Sequence, residues 1–524
     1  METPKDVVEN KSEAEPTVAK PHTKKAKYAV VVRQGSFEVD KHFYTKVLNA
    51  QIHPLVAHFM RMDNERIISR YTHLYPTVDR KALEELLAYK PSFFRWSGAD
   101  LFNVTEAKGG RKMVVIETNS CPSGQKSFPL LNEGEEKNGY QYLIDYTFKP
   151  YLEECEANGK MIEGALAVVF DKNETEAAGY AACLADSFNE EVLLVETHDH
   201  EEETNVRWTS DWVLEARTSD GQWRRIRAAF RYVTQKPWSR LPVAGAKTLI
   251  LNPVVACLAG GRNKLVAAKA YDFFNAEFEP KGLGIRVPET REDVAKDEIP
   301  LWVKSMGDHA VVKVPYSNAG QGVYTITSKQ ELEELMKELN QQGAYEQYIV
   351  QSLIGNYSWS SVTRHGQYFH VGTIPDKNKN IYCADIRLMV HYSYIHKSFR
   401  PLAIYSRRAR KPLPQNLSPG ETSWDYLGTN LSFKLDDDTW STETNRLLLM
   451  DTRDFNRLGV GTDDLIDAYI QTVLATVAID KLARKLMHVN AEGQMEFNHS
   501  LFLSLNKDPV LHGEILDPSH PQSQ

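Results

Sequence analysis

The chain has 524 residues, 42% of them hydrophobic and 25% charged, with a net charge of -8 at pH 7. That length exceeds what one hydrophobic core organises and predicts several lobes. The acidic balance gives no electrostatic reason to expect nucleic acid or an anionic membrane as partner. No run approaches the roughly 18 apolar residues of a membrane span. The five cysteines, Cys121, Cys155, Cys183, Cys257 and Cys383, show no metal-binding spacing. They read as reduced thiols, and a cytoplasmic location is expected.

Residues 1–27 lack the apolar stretch of a signal peptide and read as a disordered tail. An N-terminal region follows over 28–160. It opens with the strand YAVVVR from Tyr28, continues with a helical stretch from His42 to about Arg70 and another over Asp79–Ala88, and ends in a strand MVVIETN. FFRWSGADLF leads to that strand through the turn EAKGGRK. An α/β lobe is expected over 161–250: the strand ALAVVF, the helix TEAAGYAACLADSF and the strand EVLLVE make a parallel crossover. WVLEAR and QWRRIRAAFRYV, joined by Thr-Ser-Asp-Gly, read as a hairpin. Trp208, Trp212, Trp223 and Trp238 are expected in the core of this lobe, and His198–Glu203 in an exposed acidic loop.

Residues 251–490 alternate again. The helix NKLVAAKAYDFFNAEF is followed by the strand AVVKVPY, the loop SNAGQG, VYTI, the helix SKQELEELMKELNQQ, YIVQSLI and ADIRLMVHYSYI. The long helix DDLIDAYIQTVLATVAIDKLARKLM closes the region, and 491–524 reads as a C-terminal tail. The fold class is α/β (α+β) with mixed sheets and several lobes.

Chemistry concentrates in a few places. In AVVKVPYSNAGQG, Lys313 on a buried strand precedes a flexible loop holding Ser317, Asn318, Gly320, Gln321 and Gly322. One ammonium there would meet a phosphate while loop amides cover others, although a snorkelling lysine beside an ordinary hairpin reads equally well from this stretch alone. Lys264 opens a helix upstream. Gln351 lies on an apolar strand placed as an adenine-binding hinge would be. Asp385 and Arg387 share one face of a strand, and Asn430 offers an amide oxygen to a hard cation. Far upstream, Glu117 and Asn119 form an E-x-N at the end of an apolar strand, with Asp100 seventeen residues earlier. Asp454-x-Asn456 lies in a charged stretch and reads as a loop.

The order of lysine, lysine and glycine loop, hinge strand, D-x-R and T-N resembles the ATP-grasp superfamily of carboxylate–amine ligases. DIR and GTNLSFK are similar to its tubulin tyrosine ligase branch. The closing E-x-N strand of that superfamily is missing from its usual place and is found instead near residue 117. This displacement resembles the circularly permuted arrangement of eukaryotic glutathione synthetase. The resemblance covers roughly residues 90–125 and 245–490 and rests on short motifs in a shared order. It implies a permuted ATP-grasp fold that takes ATP and Mg²⁺. Asp100, Glu117, Asn119 and Asn430 would hold the metal, Lys264 and Lys313 the phosphates, and Arg387 with Lys313 would act in catalysis. Ser317 and Asn318 stand where that branch carries a glutamate ligand, and CPSGQKSFP does not continue its substrate motif, so its substrate is not carried over.

A substrate carboxylate needs a cationic or hydrogen-bonding clamp. Arg407 and Arg408 in SRRAR, Arg95, and Ser123 with Gly124 and Gln125 are the candidates. The expected activity is an ATP-dependent ligase that joins a small-molecule carboxylate to an amine through an acyl phosphate, with a homodimer left open. The alternatives are a phosphotransferase on the same fold and a nucleotide-binding protein without ligase activity.

Overall fold

The computed structural model describes residues 28–132, 134–197, 205–232, 236–316, 320, 322–342, 347–364, 366–418, 420–434, 440–491 and 494–516. Its first half contains strands β1 (Trp96–Glu106), β2 (Arg111–Ser120) and β3 (Ala165–Phe170), helix α1 (Glu174–Phe188), and strands β4 (Val192–Glu196), β5 (Trp223–Arg231) and β6 (Leu249–Leu251). Its second half contains helix α2 (Lys264–Phe278), strands β7 (Thr290–Ala295), β8 (Ala310–Lys313), β9 (Val323–Ile326), β10 (Gln347–Ser352), β11 (Ala384–Ser393) and β12 (Ser398–Arg408), and the helix α3 (Thr462–Leu486). The protein is α/β with mixed sheets.

The seven-stranded sheet is built on β3, which runs parallel to β4 on one side and β5 on the other, as the strand–helix–strand order of 165–196 predicts. β6 adds in parallel to β5, and Leu214–Arg217 folds back on β5 as the expected hairpin. β3 reads AlaLeuAlaValValPhe because both faces of a parallel strand are covered. The four-stranded sheet has the order β7-β10-β8-β9, with all neighbours antiparallel.

The six-stranded sheet carries the chemistry. β1 lies between β2 and β11, and β12 follows β11. Alternation along β1 sends Ser97 to one face, where its hydroxyl meets Thr476 on α3 at 2.5 Å, and Gly98 and Asp100 to the other. Gly98 is needed there: a Cβ would stand 2.9 Å from Pro122. α3 is apolar almost all round and buried over most of its length, as a helix enclosed by other elements must be. Its Asp480, with no exposure, accepts hydrogen bonds from the Tyr89 hydroxyl (2.7 Å) and the amides of Ser92, Phe93 and Phe94 (3.0, 2.7 and 2.8 Å). This ties the last long helix to the segment leading into β1.

Several expectations are corrected. The helical stretch from His42 to Arg70 is four short helices. Pro54 can begin a helix but not continue one, and Asp63 caps another by accepting from the Arg66 amide. The C-terminal segment is not simply a tail. Helices His499–Leu505 and Pro509–Ile515 bury Phe502, Leu511 and Ile515, and Asp508 with Pro509 gives the second a cap and first-turn proline. Of the four tryptophans, Trp238 is core, whereas Trp208, Trp212 and Trp223 are only half-buried. All five cysteines are free and buried. Among the described residues no helix is long and apolar enough to cross a membrane. Residues 1–27, His198–Glu203, Ser317, Asn318 and Gln321 lie outside the described residues.

Candidate functional site

A row of side chains crosses the six-stranded sheet. Glu117 on β2 stands opposite Asp100 on β1, Asp100 opposite Arg387 on β11, and Arg387 opposite Tyr405 on β12. Directly paired residues of antiparallel strands point to the same face. Two residues along, on the same face, Asp385 is opposite Arg407.

Between Glu117 and Val115 the β1–β2 register slips, which leaves Ile116 without a partner on β1. A bulge of this kind frees a backbone group and re-aims its neighbours. The Ile116 carbonyl here accepts from the Lys313 ammonium at 3.3 Å, joining residues 197 apart in sequence. Lys264, the first residue of α2, is held by its amide on the Pro315 carbonyl (2.9 Å), and its ammonium lies 3.3 Å from Glu117 Oε1. Asn263 caps the helix by accepting from the Val266 amide at 3.2 Å. Burial pushes the Lys313 ammonium down to about 8; Lys264 adds to this, while Glu117 and Asp100 oppose it.

These groups open onto a cavity of about 440 Å³. Its walls include Ile116, Glu117, Arg262, Lys264, Lys313 and the segment 351–354 at the end of β10. That is the size of a small-molecule site. Gln351, expected on a hinge, lines it while donating to Thr290 Oγ1 at 2.8 Å. Farther along α2, Asp272 and the facing Glu292 close another part of the wall. Burial first, then Asp272, raises the Glu292 carboxyl to about 7.

Asp100 differs from the expected metal ligand. Both of its oxygens are taken by arginines: Arg387 donates through Nε (2.5 Å) and Nη2 (2.7 Å), and Arg407 through Nη2 (2.9 Å). Burial alone would raise its pKa, but the two guanidinium groups hold it well below the usual carboxylate range. Arg407 also grips Asp385, whose second oxygen accepts from the Thr429 hydroxyl at 2.9 Å. Two carboxylates and two guanidiniums thus form one buried network. Arg387 Nη1 and the Tyr405 hydroxyl both donate to the Ser123 carbonyl, at 3.3 and 3.1 Å. Glu176, with no exposure, holds this loop by accepting from Ser123 Oγ and the Gly124 and Gln125 amides, each at 3.0 Å.

The remaining residues separate. Asn119, on the same strand as Glu117 and almost wholly buried, has an amide Nδ2 with no hydrogen-bond partner. Gly320 and Gly322 have φ of 77° and 62°, which glycine adopts without strain. A Cβ on Gly320 would meet Trp424 at 3.0 Å and Asn430 at 3.6 Å. Asn430 therefore flanks the glycine loop, and it is not among the described residues that line the cavity with Glu117. Two expected substrate clamps are packing groups. Arg95 stacks 3.9 Å over Tyr151 and donates to the Tyr394 hydroxyl at 3.2 Å, while Arg408 lies 4.4 Å over Tyr382. Arg95 precedes β1 at odd parity with Asp100, so alternation turns it away.

Glu117 and Asn119 two residues apart on one strand present a carboxylate and an amide, the oxygen donors that a hard cation takes. Among the described residues no cluster of three or more histidine, cysteine or acidic side chains could hold a metal. Two protein ligands suit Mg²⁺, which keeps water and phosphate oxygens in its shell. Arg262, Asp272, Glu292 and Glu176 were not picked out from sequence. Only Arg262 carried a signal, standing between Gly260-Gly261 and the helix cap Asn263.

No protein-family model matches the chain, and no curated protein matches it in sequence. Solved structures resemble it in part. It is similar to a RimK-domain ATP-grasp protein of Sphaerobacter thermophilus, at 13% identity and a TM-score of 0.27 over 46% of this chain and 90% of that one. A glutathione synthetase-like effector of Globodera pallida matches at 8% identity and a TM-score of 0.34, over 68% and 81%. The D-alanine-D-alanine ligase of Coxiella burnetii matches at 9% identity and a TM-score of 0.22, over 61% and 97%.

Proposed function

We propose that this chain is an ATP-dependent ligase, built on a circularly permuted ATP-grasp arrangement, that activates a carboxylate as an acyl phosphate and passes it to an amine. One observation carries the reading: the strand end holding Glu117 lies in the same cavity wall as Lys264 and Lys313, with the Lys313 ammonium on the carbonyl beside Glu117.

Mg²⁺-ATP, when bound, supplies the phosphoryl group. Lys264 and Lys313 line one poorly solvated wall beside Glu117, where their like charges repel. A phosphate chain offsets that repulsion, which makes both lysines fit to bind it. Glu117 and Asn119 would hold the cation. Arg387 remains charged at any working pH and is aimed by its two bonds to Asp100, so it can stabilise negative charge as the carboxylate and phosphoryl group meet. Asp100 is a positioning residue in this scheme. The Ser123 carbonyl, gripped by Arg387 and Tyr405, fixes the loop along which the acid approaches. The amine needs placement more than a base, because alignment of the two reactants supplies much of the rate.

The test is hydroxylamine trapping. With ATP, Mg²⁺ and an acid from a screened panel, the wild type should release ADP and form a hydroxamate. Glu117→Gln should suppress trapping by about a hundredfold or more while ATP still binds. ADP accompanied by a stable phosphorylated alcohol, and no hydroxamate with any acid, would replace the ligase with a phosphotransferase.

A further inference from the structure

The stretch that ends the candidate metal strand is anchored on two sides. Towards the seven-stranded sheet, Arg231 at the end of β5 donates to Ser120 Oγ at 2.7 Å. Farther along, Glu176 on α1 accepts from Ser123 Oγ and from the Gly124 and Gln125 amides, each at 3.0 Å. Towards the six-stranded sheet, the Ser123 carbonyl accepts from Arg387 Nη1 at 3.3 Å and from the Tyr405 hydroxyl at 3.1 Å. The hydroxyl and the carbonyl of Ser123 are therefore engaged on opposite sides. Gly124 fits closely between them: a Cβ there would stand 2.7 Å from Met389 Sδ on β11 and from Tyr405 Cε1 on β12. Residues 120–125 form a strap from one sheet to the other.

We infer that Glu176 is a positioning residue for the reaction: through the strap it sets the Ser123 carbonyl, and with it the guanidinium of Arg387. The inference rests on the ligase reading for what Arg387 does. Asp100 takes Nε and Nη2, one edge of the guanidinium, and the Ser123 carbonyl fixes the remaining corner at Nη1. Glu176 has no exposure, and a buried charge persists only where donors surround it. Three donors converge on its two oxygens, and its place in the first turn of α1 favours negative charge. A glutamine would offer one oxygen and turn its NH₂ towards a donor, which releases part of the strap. Glu176 is not among the described residues that line the cavity, so its effect on the chemistry passes through Ser123.

The experiment is a double-variant cycle on ADP release by the full chain, with an acid that wild type turns over. Glu176→Gln should lower kcat by roughly tenfold or more, because a small misplacement of a catalytic group is costly. The KM for ATP should stay unchanged, since Lys264, Lys313 and Glu117 keep their places. In the Arg387→Met background the same substitution should cost less than about twofold, because the group it positions is gone. A crystal structure of Glu176→Gln should show the Ser123 carbonyl out of reach of Arg387 Nη1. An equal fold loss in both backgrounds, which a merely structural role would give, overturns the inference, as does a strap that keeps its place. If Glu176→Gln does not fold, Ser123→Ala takes its part in both measurements. It removes one of the three bonds and should give a smaller loss with the same dependence on Arg387. A wild type that releases no ADP with any acid rejects the ligase reading, and the crystal structure of the variant then decides the link from Glu176 to Arg387.

Discussion

Asp100→Asn is the substitution that separates a positioning carboxylate from a metal ligand. Asparagine keeps the shape but removes the charge that faces Arg387 and Arg407. The buried network then holds two guanidiniums against the single carboxylate of Asp385. Removing one partner of a buried ion pair costs about 3–5 kcal/mol, since the other charge stays behind. A folded unit of this size unfolds with an entropy of roughly 1 kcal/mol/K, so the loss should appear as a melting shift of about 3–5 °C. The shift should be the same with and without Mg²⁺. Adding Arg387→Met should recover part of it, because the remaining Arg407 and Asp385 are still directly paired and the network is again neutral. Calorimetric melting of the two single variants and the double variant gives the coupling. Wild-type melting of Asp100→Asn, or a double variant worse than the sum of the two, would refute the network. A loss confined to the Mg²⁺ dependence of ATP binding would restore Asp100 as a ligand.

Two further outcomes follow from the geometry. Lys313, pushed down to about 8 in the free chain, must be charged to meet a phosphate. ATP affinity should therefore be flat below that pH and fall as pH rises through it, by up to about tenfold per unit, with proton uptake near pH 8 visible as buffer-dependent binding heat; constant affinity from pH 7 to 10 would contradict the assignment. Asp480→Asn should lower stability by about 1–3 kcal/mol or more, because an amide NH₂ would face donors that now reach a carboxylate oxygen; a urea midpoint equal to wild type would show that the contact contributes nothing.

What could be read from the sequence was local or periodic. β3, α1 and β4 follow from apolar runs and turn residues over residues 165–196, and their parallel pairing follows from connection length. Lys313, Lys264 and Glu117 were legible as types of chemistry, but only the resemblance to the ATP-grasp order of motifs, with its closing E-x-N strand displaced, joined Glu117 to the lysines across the chain. The partner of Asp100 was not legible. It depends on which of its neighbours on β2 or β11 the carboxylate turns to, and that is decided by the bulge at Ile116 and the placement of β11, neither visible in a residue list. Arg95 and Arg408 looked like clamps because charge suggests a ligand, while their stacking on Tyr151 and Tyr382 is a tertiary fact. The C-terminal helices were hidden by their shortness, since seven residues, in one case opened by a proline, carry little periodic signal.

The central position of β1 also governs the order in which the protein can be made. β1 and β2 form a hairpin as soon as they emerge, but the other edge of β1 is completed by β11, and Arg387 is 287 residues beyond Asp100. At roughly 5–20 residues per second, synthesis leaves that edge open for about a quarter of a minute to a minute, and α3 arrives later still. An apolar strand with an unpaired edge is a template for pairing with another chain. Newly made copies on neighbouring ribosomes are thus at their most adhesive long before any of them has an Arg387 with which to work. Chains released early, before β11, should accumulate as aggregates and not as inactive monomers.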